Sequence, residues 1–95
     1  MNNVRRLVWD EWNEQHIARH ECIRDDVEEA CHSDAYIDEG KKGRLRLLGL
    51  TNSGRLIAVI LDPEDEPGTY YVVTARPASR KERRLYQQER GGETT

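Results

Sequence analysis

The chain has 95 residues, of which 36% are hydrophobic and 35% charged, and a formal net charge of −3. That length buries one modest core and so forms a single domain, and the apolar residues fall in periodic runs, which excludes a disordered chain. No stretch reaches the run of apolar residues needed to span a membrane, the opening MNNVRRLVWDEW lacks a signal-peptide core, and two cysteines make no disulfide framework; a cytoplasmic protein with reduced Cys22 and Cys31 is expected.

The first element is a strand over Val4–Trp9, where β-branched and aromatic residues surround Arg5 and Arg6. Asp10 is placed to cap a helix over Glu11–His20 by accepting from free first-turn amides. In that helix Trp12, His16, Ile17 and His20 lie near one another at helical spacing. Asp25 opens a second helix, with Glu28 at capping-box distance, and Val27, Ala30 and Cys31 as its buried stripe. The helix ends near His32 or Ser33. Ala35–Asp38 is a brief extended piece leading to a turn at Gly40–Gly43.

A hairpin follows, Arg44–Leu50 and Arg55–Leu61, joined by the turn Thr51-Asn52-Ser53-Gly54. The run Leu56-Ile57-Ala58-Val59-Ile60-Leu61 has no polar alternation, which predicts a central strand covered on both faces. Asp62–Gly68 is an exposed acidic connection. Thr69–Arg76 is the last strand, closed by Pro77, with Tyr70 and Tyr71 on opposite faces. Ser79 and Glu82 form a capping box that starts a helix at Arg80, running to about Glu89. The expected fold is β-α-α-β-β-β-α, an α+β domain over residues 1–90 with a mainly antiparallel sheet and a disordered tail at 91–95. The chain has no Phe, and a small core of Trp and Tyr rings suggests that a partner or homodimer completes the burial.

Charge is unevenly spread. Residues 1–75 carry nine basic and fifteen acidic side chains, whereas residues 76–90 carry six basic and two acidic ones. Arg76 ends a strand, Arg80 lies in the first turn of the next helix, and Arg83 and Arg84 lie one turn on. Cations at a positive helix start repel it and one another, a cost that an anion among them relieves. Guanidiniums bind phosphate bidentately and stay charged. The same run also reads as a solvated helix face paired with glutamates. Arg44, Arg46 and Arg55 flank the hairpin and either extend the basic surface or are solvated, and Tyr86 is either a base-stacking ring or a core anchor. His16 and His20 share a helix face, but the Glu of a metalloprotease H-E-x-x-H and any C-x-x-C spacing are missing. No metal or cofactor is expected. Histidine as a residue type titrates near neutrality, which suits His20 to proton transfer if it faces the arginines. No phosphate loop, Ser-His-Asp set or cysteine nucleophile signature is present.

Trp9-Asp10, Arg19-His20, Val27-Glu28-Glu29-Ala30, Gly49-x-Thr51-x-x-Gly54-Arg55 and, above all, the block from Val73 to Tyr86 (VTARPASRKERRLY) together resemble the BrnT toxin family. The likeness runs from about Val4 to Tyr86, and only its last block is specific. It implies a RelE-like fold and metal-independent RNA cleavage that inhibits translation. It also implies neutralisation by a dimeric, DNA-binding antitoxin, BrnA. That resemblance carries over His20, Arg55, Arg76, Arg80, Arg83 and Tyr86; the expected catalytic set is His20, Arg76, Arg80, Arg83 and Tyr86, and Arg55 is joined by His16, Arg44 and Arg84, read from the residues themselves, as RNA-binding candidates. The alternative is a non-catalytic module that uses the basic C-terminal helix to bind nucleic acid or an acidic protein.

Overall fold

The computed structural model describes residues 4–91. In chain order they form β1 (Arg6–Val8), α1 (Glu11–Ala18), α2 (Arg24–Cys31), β2 (Tyr36–Glu39), β3 (Leu45–Leu50), β4 (Leu56–Pro63), β5 (Thr69–Pro77) and α3 (Arg80–Gly91), with one 3-10 turn at Lys41–Gly43. The sheet order is β1-β5-β4-β3-β2. Only β1 runs parallel to its neighbour, β5, and the other pairs are antiparallel. This is the expected α+β domain with one more strand. The Ala35–Asp38 piece is an edge strand, because Tyr36–Glu39 pairs with Leu48 back to Leu45. Gly91 closes α3 instead of beginning a tail, and residues 92–95 lie outside the described residues.

The two-faced strand stands where its composition requires, at the centre of the sheet. Ile57, Val59 and Leu61 turn to one face and pack with Ile17 of α1 and with Val27, Ala30 and Cys31 of α2. Leu56 and Ala58 turn to the other, where Leu48, Ala78 and Tyr86 complete a smaller cluster beneath α3. In β5 the register slips between Ile60↔Thr74 and Leu61↔Val72. That extra residue lets Val72 and Ala75 both reach the main core and sends Arg76, opposite Ala58, to the α3 side. Gly49 lets α2 close onto β3, since a Cβ there would lie 2.4 Å from the Ala30 carbonyl oxygen.

The helix ends differ from expectation in two places. Asp10 does cap α1, accepting from Asn13 N at 2.8 Å while Asn13 Oδ1 accepts from Asp10 N at 2.9 Å. The buried Asn13 amide also donates to the carbonyls of Val8 and Val72, so one polar side chain joins β1, α1 and β5. But α1 stops at Ala18, two residues before His20. Glu21 takes a left-handed conformation (φ 64°), and Cys22 N turns back to donate to the Ile17 carbonyl. Helix α2 begins at Arg24, not after Asp25. Its start is set by Asp26, whose carboxylate accepts from Ile23 N at 3.0 Å. Among the described residues no helix is long and apolar enough to cross a membrane.

Candidate functional site

The strand-to-helix junction is built by its capping box. Ser79 Oγ accepts from Glu82 N at 3.1 Å, and Glu82 Oε1 accepts from Ser79 N at 2.9 Å. That box points the Glu82 carboxylate inward, where the residue is only 5% exposed. There Arg76 meets it with two hydrogen bonds, Nη1 to Oε1 at 2.7 Å and Nη2 to Oε2 at 2.9 Å. Arg46, from β3, touches the same carboxylate at 3.5 Å and grips Asp38 of β2 through Nε and Nη2 at 3.0 and 2.6 Å. Two guanidiniums and two carboxylates therefore form a closed row across the α3 face of the sheet. The Arg76 hydrogen bonds, with help from Ser79, hold the Glu82 carboxyl down at about 2 against burial, which opposes them. The same bond raises Arg76 above its ordinary range.

Arg76 thus occupies the predicted junction, but its bidentate fork is filled by Glu82. The participation of Arg46 and Asp38 is not visible in the sequence as a pairing. It follows from the Asp38↔Arg46 register, which exists only because the Ala35–Asp38 segment joins the sheet. Tyr86 is 8% exposed, packed in the cluster under α3, with the Arg90 guanidinium 5.3 Å from its ring centre. Its ring is committed to packing and offers no face for a base. Arg44 lies on the same side of the sheet, 3.8 Å from Asp62.

The remaining α3 cations are exposed, and among the described residues no carboxylate lies within ion-pair distance of Arg80, Lys81, Arg83 or Arg84. Successive helical steps of 100° divide them between two flanks. Lys81, Arg84 and Gln88 join Arg46, Ser79, Glu82 and Leu85 in lining a hollow of about 380 Å³. Arg80, Arg83 and Gln87 form the other flank, and α3 itself starts at one end of the sheet, where β5 stops and β4 begins.

That end gathers several chain segments. Ala78 N donates to the Leu56 carbonyl at 3.0 Å, which ties the junction to the start of β4. Arg55, just before β4, reaches Cys22 Sγ at 3.9 Å and Asp26 at 3.6 Å. The α1–α2 turn, which carries exposed His20, therefore sits at the same end of the sheet as Arg55 and the start of α3. His16 stands one turn earlier on α1, its ring stacked on Trp12 with centroids 5.0 Å apart and planes 6° from parallel. His16 and His20 meet edge to face at 5.6 Å. Among the described residues no bond or ring contact links His20 to an arginine; what they share is a sheet end, not a common hydrogen-bond network. Among the described residues no group of three or more His, Cys, Asp or Glu side chains is arranged to hold a metal ion.

The two cysteines belong to the core. Burial pushes the Cys31 thiol up to about 12 and raises Cys22 as well, against the lowering pull of Arg55. In comparisons with known proteins, no family model matches the chain and no curated protein matches it significantly.

Proposed function

We propose that the protein is a small metal-independent ribonuclease toxin that acts at the end of the sheet shared by the α1–α2 turn, the start of β4 and the start of α3. One observation carries this reading: exposed His20, Arg55 and the start of α3 with Arg80 and Arg83 come from separate segments and lie at the same end of the sheet, His20 on the face of α1 and α2 and the arginines of α3 on the other. Arginines without carboxylate partners suit a phosphodiester, whose equatorial charge rises as the bond breaks. His20 would take the proton from a ribose 2′-hydroxyl. The 2′-oxygen then bonds to phosphorus, the bond to the 5′-oxygen breaks, and that oxygen leaves with a proton. Arg76 would act by holding Glu82, and so the start of α3, in place. A dimeric DNA-binding antitoxin is the partner that the sequence resemblance implies for such an enzyme.

A second reading, a binding module without catalysis, is favoured by the filled fork of Arg76 and by the lack of any contact between His20 and the arginines. Purified protein incubated with a mixed-sequence RNA in EDTA separates the two. The toxin reading expects cleavage to products with 2′,3′-cyclic phosphate ends. His20→Ala should lower the rate at least a hundredfold, and Arg80→Ala/Arg83→Ala should weaken RNA binding. Binding without any cleavage would establish the module instead, and the absence of both would sink the toxin reading and the RNA-binding form of the module, leaving an acidic protein as its partner.

A further inference from the structure

Trp12 is 60% exposed, although Trp is the largest aromatic side chain and α1 has a buried stripe, Asn13 and Ile17, for it to have joined. Its ring is ordered by the near-parallel stack on His16, and His16 is in turn braced edge-on by His20. The three rings form a ladder along one flank of α1. Gln15 and Arg19 complete that flank, and Trp12, Gln15, His16 and Arg19 line a shallow recess of about 60 Å³. Glu14 lies across the helix, facing Arg24 at 3.9 Å, whereas Glu11, one turn before Gln15, stands on the near side of the recess. No carboxylate among the described residues pairs with Arg19. Beyond Tyr71 no described strand pairs with this edge of β5, where the Asn13 amide takes the Val72 carbonyl.

We propose that this flank is a stacking site for one unpaired nucleobase of single-stranded RNA. The base lies on the outer face of Trp12, Gln15 meets its polar edge, and Arg19 takes the adjoining phosphate. The chemistry favours this occupant over an apolar peptide. The recess is too small for a hydrophobic side chain to bury, and its lining is the stacked Trp12 and His16 rings with an amide and a guanidinium that no described carboxylate pairs. Aromatic platforms with adjacent cations bind single strands with little sequence preference, because every base has a π-face. Choosing RNA as the occupant rests on the ribonuclease reading; the ladder's geometry does not.

The test is titration of the full chain with a six-nucleotide oligoadenylate and, separately, with an abasic oligomer of equal charge. Tryptophan fluorescence and fluorescence anisotropy of labelled RNA are read together. The oligoadenylate should quench Trp12 emission and the abasic oligomer should not. Trp12→Ala, a surface change that leaves the far-UV dichroism intact, should abolish the quench and weaken binding about tenfold or more. Arg19→Ala should lower the slope of log affinity against log salt by about 0.7. The quench should persist at higher RNA concentration in Arg80→Ala/Arg83→Ala. Binding by anisotropy with no quench, or equal quenching by the abasic oligomer, would overturn the stacking site and leave the RNA reading standing. No binding of any RNA would overturn both.

Discussion

Glu82 is one side chain with three duties: it closes the capping box of α3, it accepts both hydrogen bonds of Arg76, and it touches Arg46. Its carboxyl stays ionised down to about pH 2 because the Arg76 bonds, above all, favour the charged form. The folded value lies below the ordinary 4.5, so this contribution is present above that pH and is lost as the pH falls toward 2. At 1.36 kcal/mol per unit the full loss amounts to about 3 kcal/mol, of which about 2 kcal/mol falls between pH 6 and pH 3. Urea unfolding at those two pH values should show about 2 kcal/mol of acid sensitivity disappearing in Glu82→Gln. The variant should already be weaker by about 3 kcal/mol at pH 6, because the Arg76 guanidinium loses its carboxylate partner. A variant as acid-sensitive as the parent would show that other carboxylates govern the transition.

At the scale of elements, the ends of helices decide where the functional side chains stand. The turn after α1 is held by Glu21 at φ 64°, a region that costs an L-residue about 1–2 kcal/mol. Glycine removes that strain but adds freedom to the unfolded chain, worth about 0.5–1 kcal/mol. Glu21→Gly should therefore raise stability by about 0.5 kcal/mol net, measured as a higher thermal midpoint; a lower midpoint would mean that the Glu21 side chain itself stabilises the turn. The caps at Asp10 and Ser79 were legible because a cap is a local bond between residues three apart. The end of α1 was not, since nothing in Arg19-His20-Glu21 announces a left-handed residue in the way glycine does. The start of α2 was misread for a related reason. Asp25 has the right spacing to Glu28, but the chain uses Asp26 to hold Ile23 N, and spacing alone cannot choose between neighbouring aspartates.

Across the whole molecule, the acidic excess of residues 1–75 and the basic excess of α3 are segregated, not mixed. Part of the basic charge is cancelled within the fold by Asp38 and Glu82, and part is left on the outer flanks of α3. Only the second part is available to a polyanion. Removing three of these charges in Arg80→Ala/Arg83→Ala/Arg84→Ala should reduce the salt slope of single-stranded RNA binding by about 2. Anisotropy over a series of KCl concentrations measures it. Arg44→Ala, paired with Asp62 on the sheet face, should leave the slope nearly unchanged, and an equal drop there would place the RNA across the sheet instead of along α3.

By itself the sequence determined four of the five described strands, the two best caps, the central place of Leu56–Leu61 and the concentration of cations after Thr74. Each of these depends on neighbouring residues or on a period that local geometry imposes. Only the tertiary structure decided which of those cations are free. Arg76 and Arg80 look alike in the sequence, yet one faces a buried carboxylate and the other faces water. That difference arises from the β5 register slip, from the pairing of β2 with β3, and from the inward turn of Glu82 at the helix start. These are contacts between residues far apart in the chain, and no local pattern encodes them.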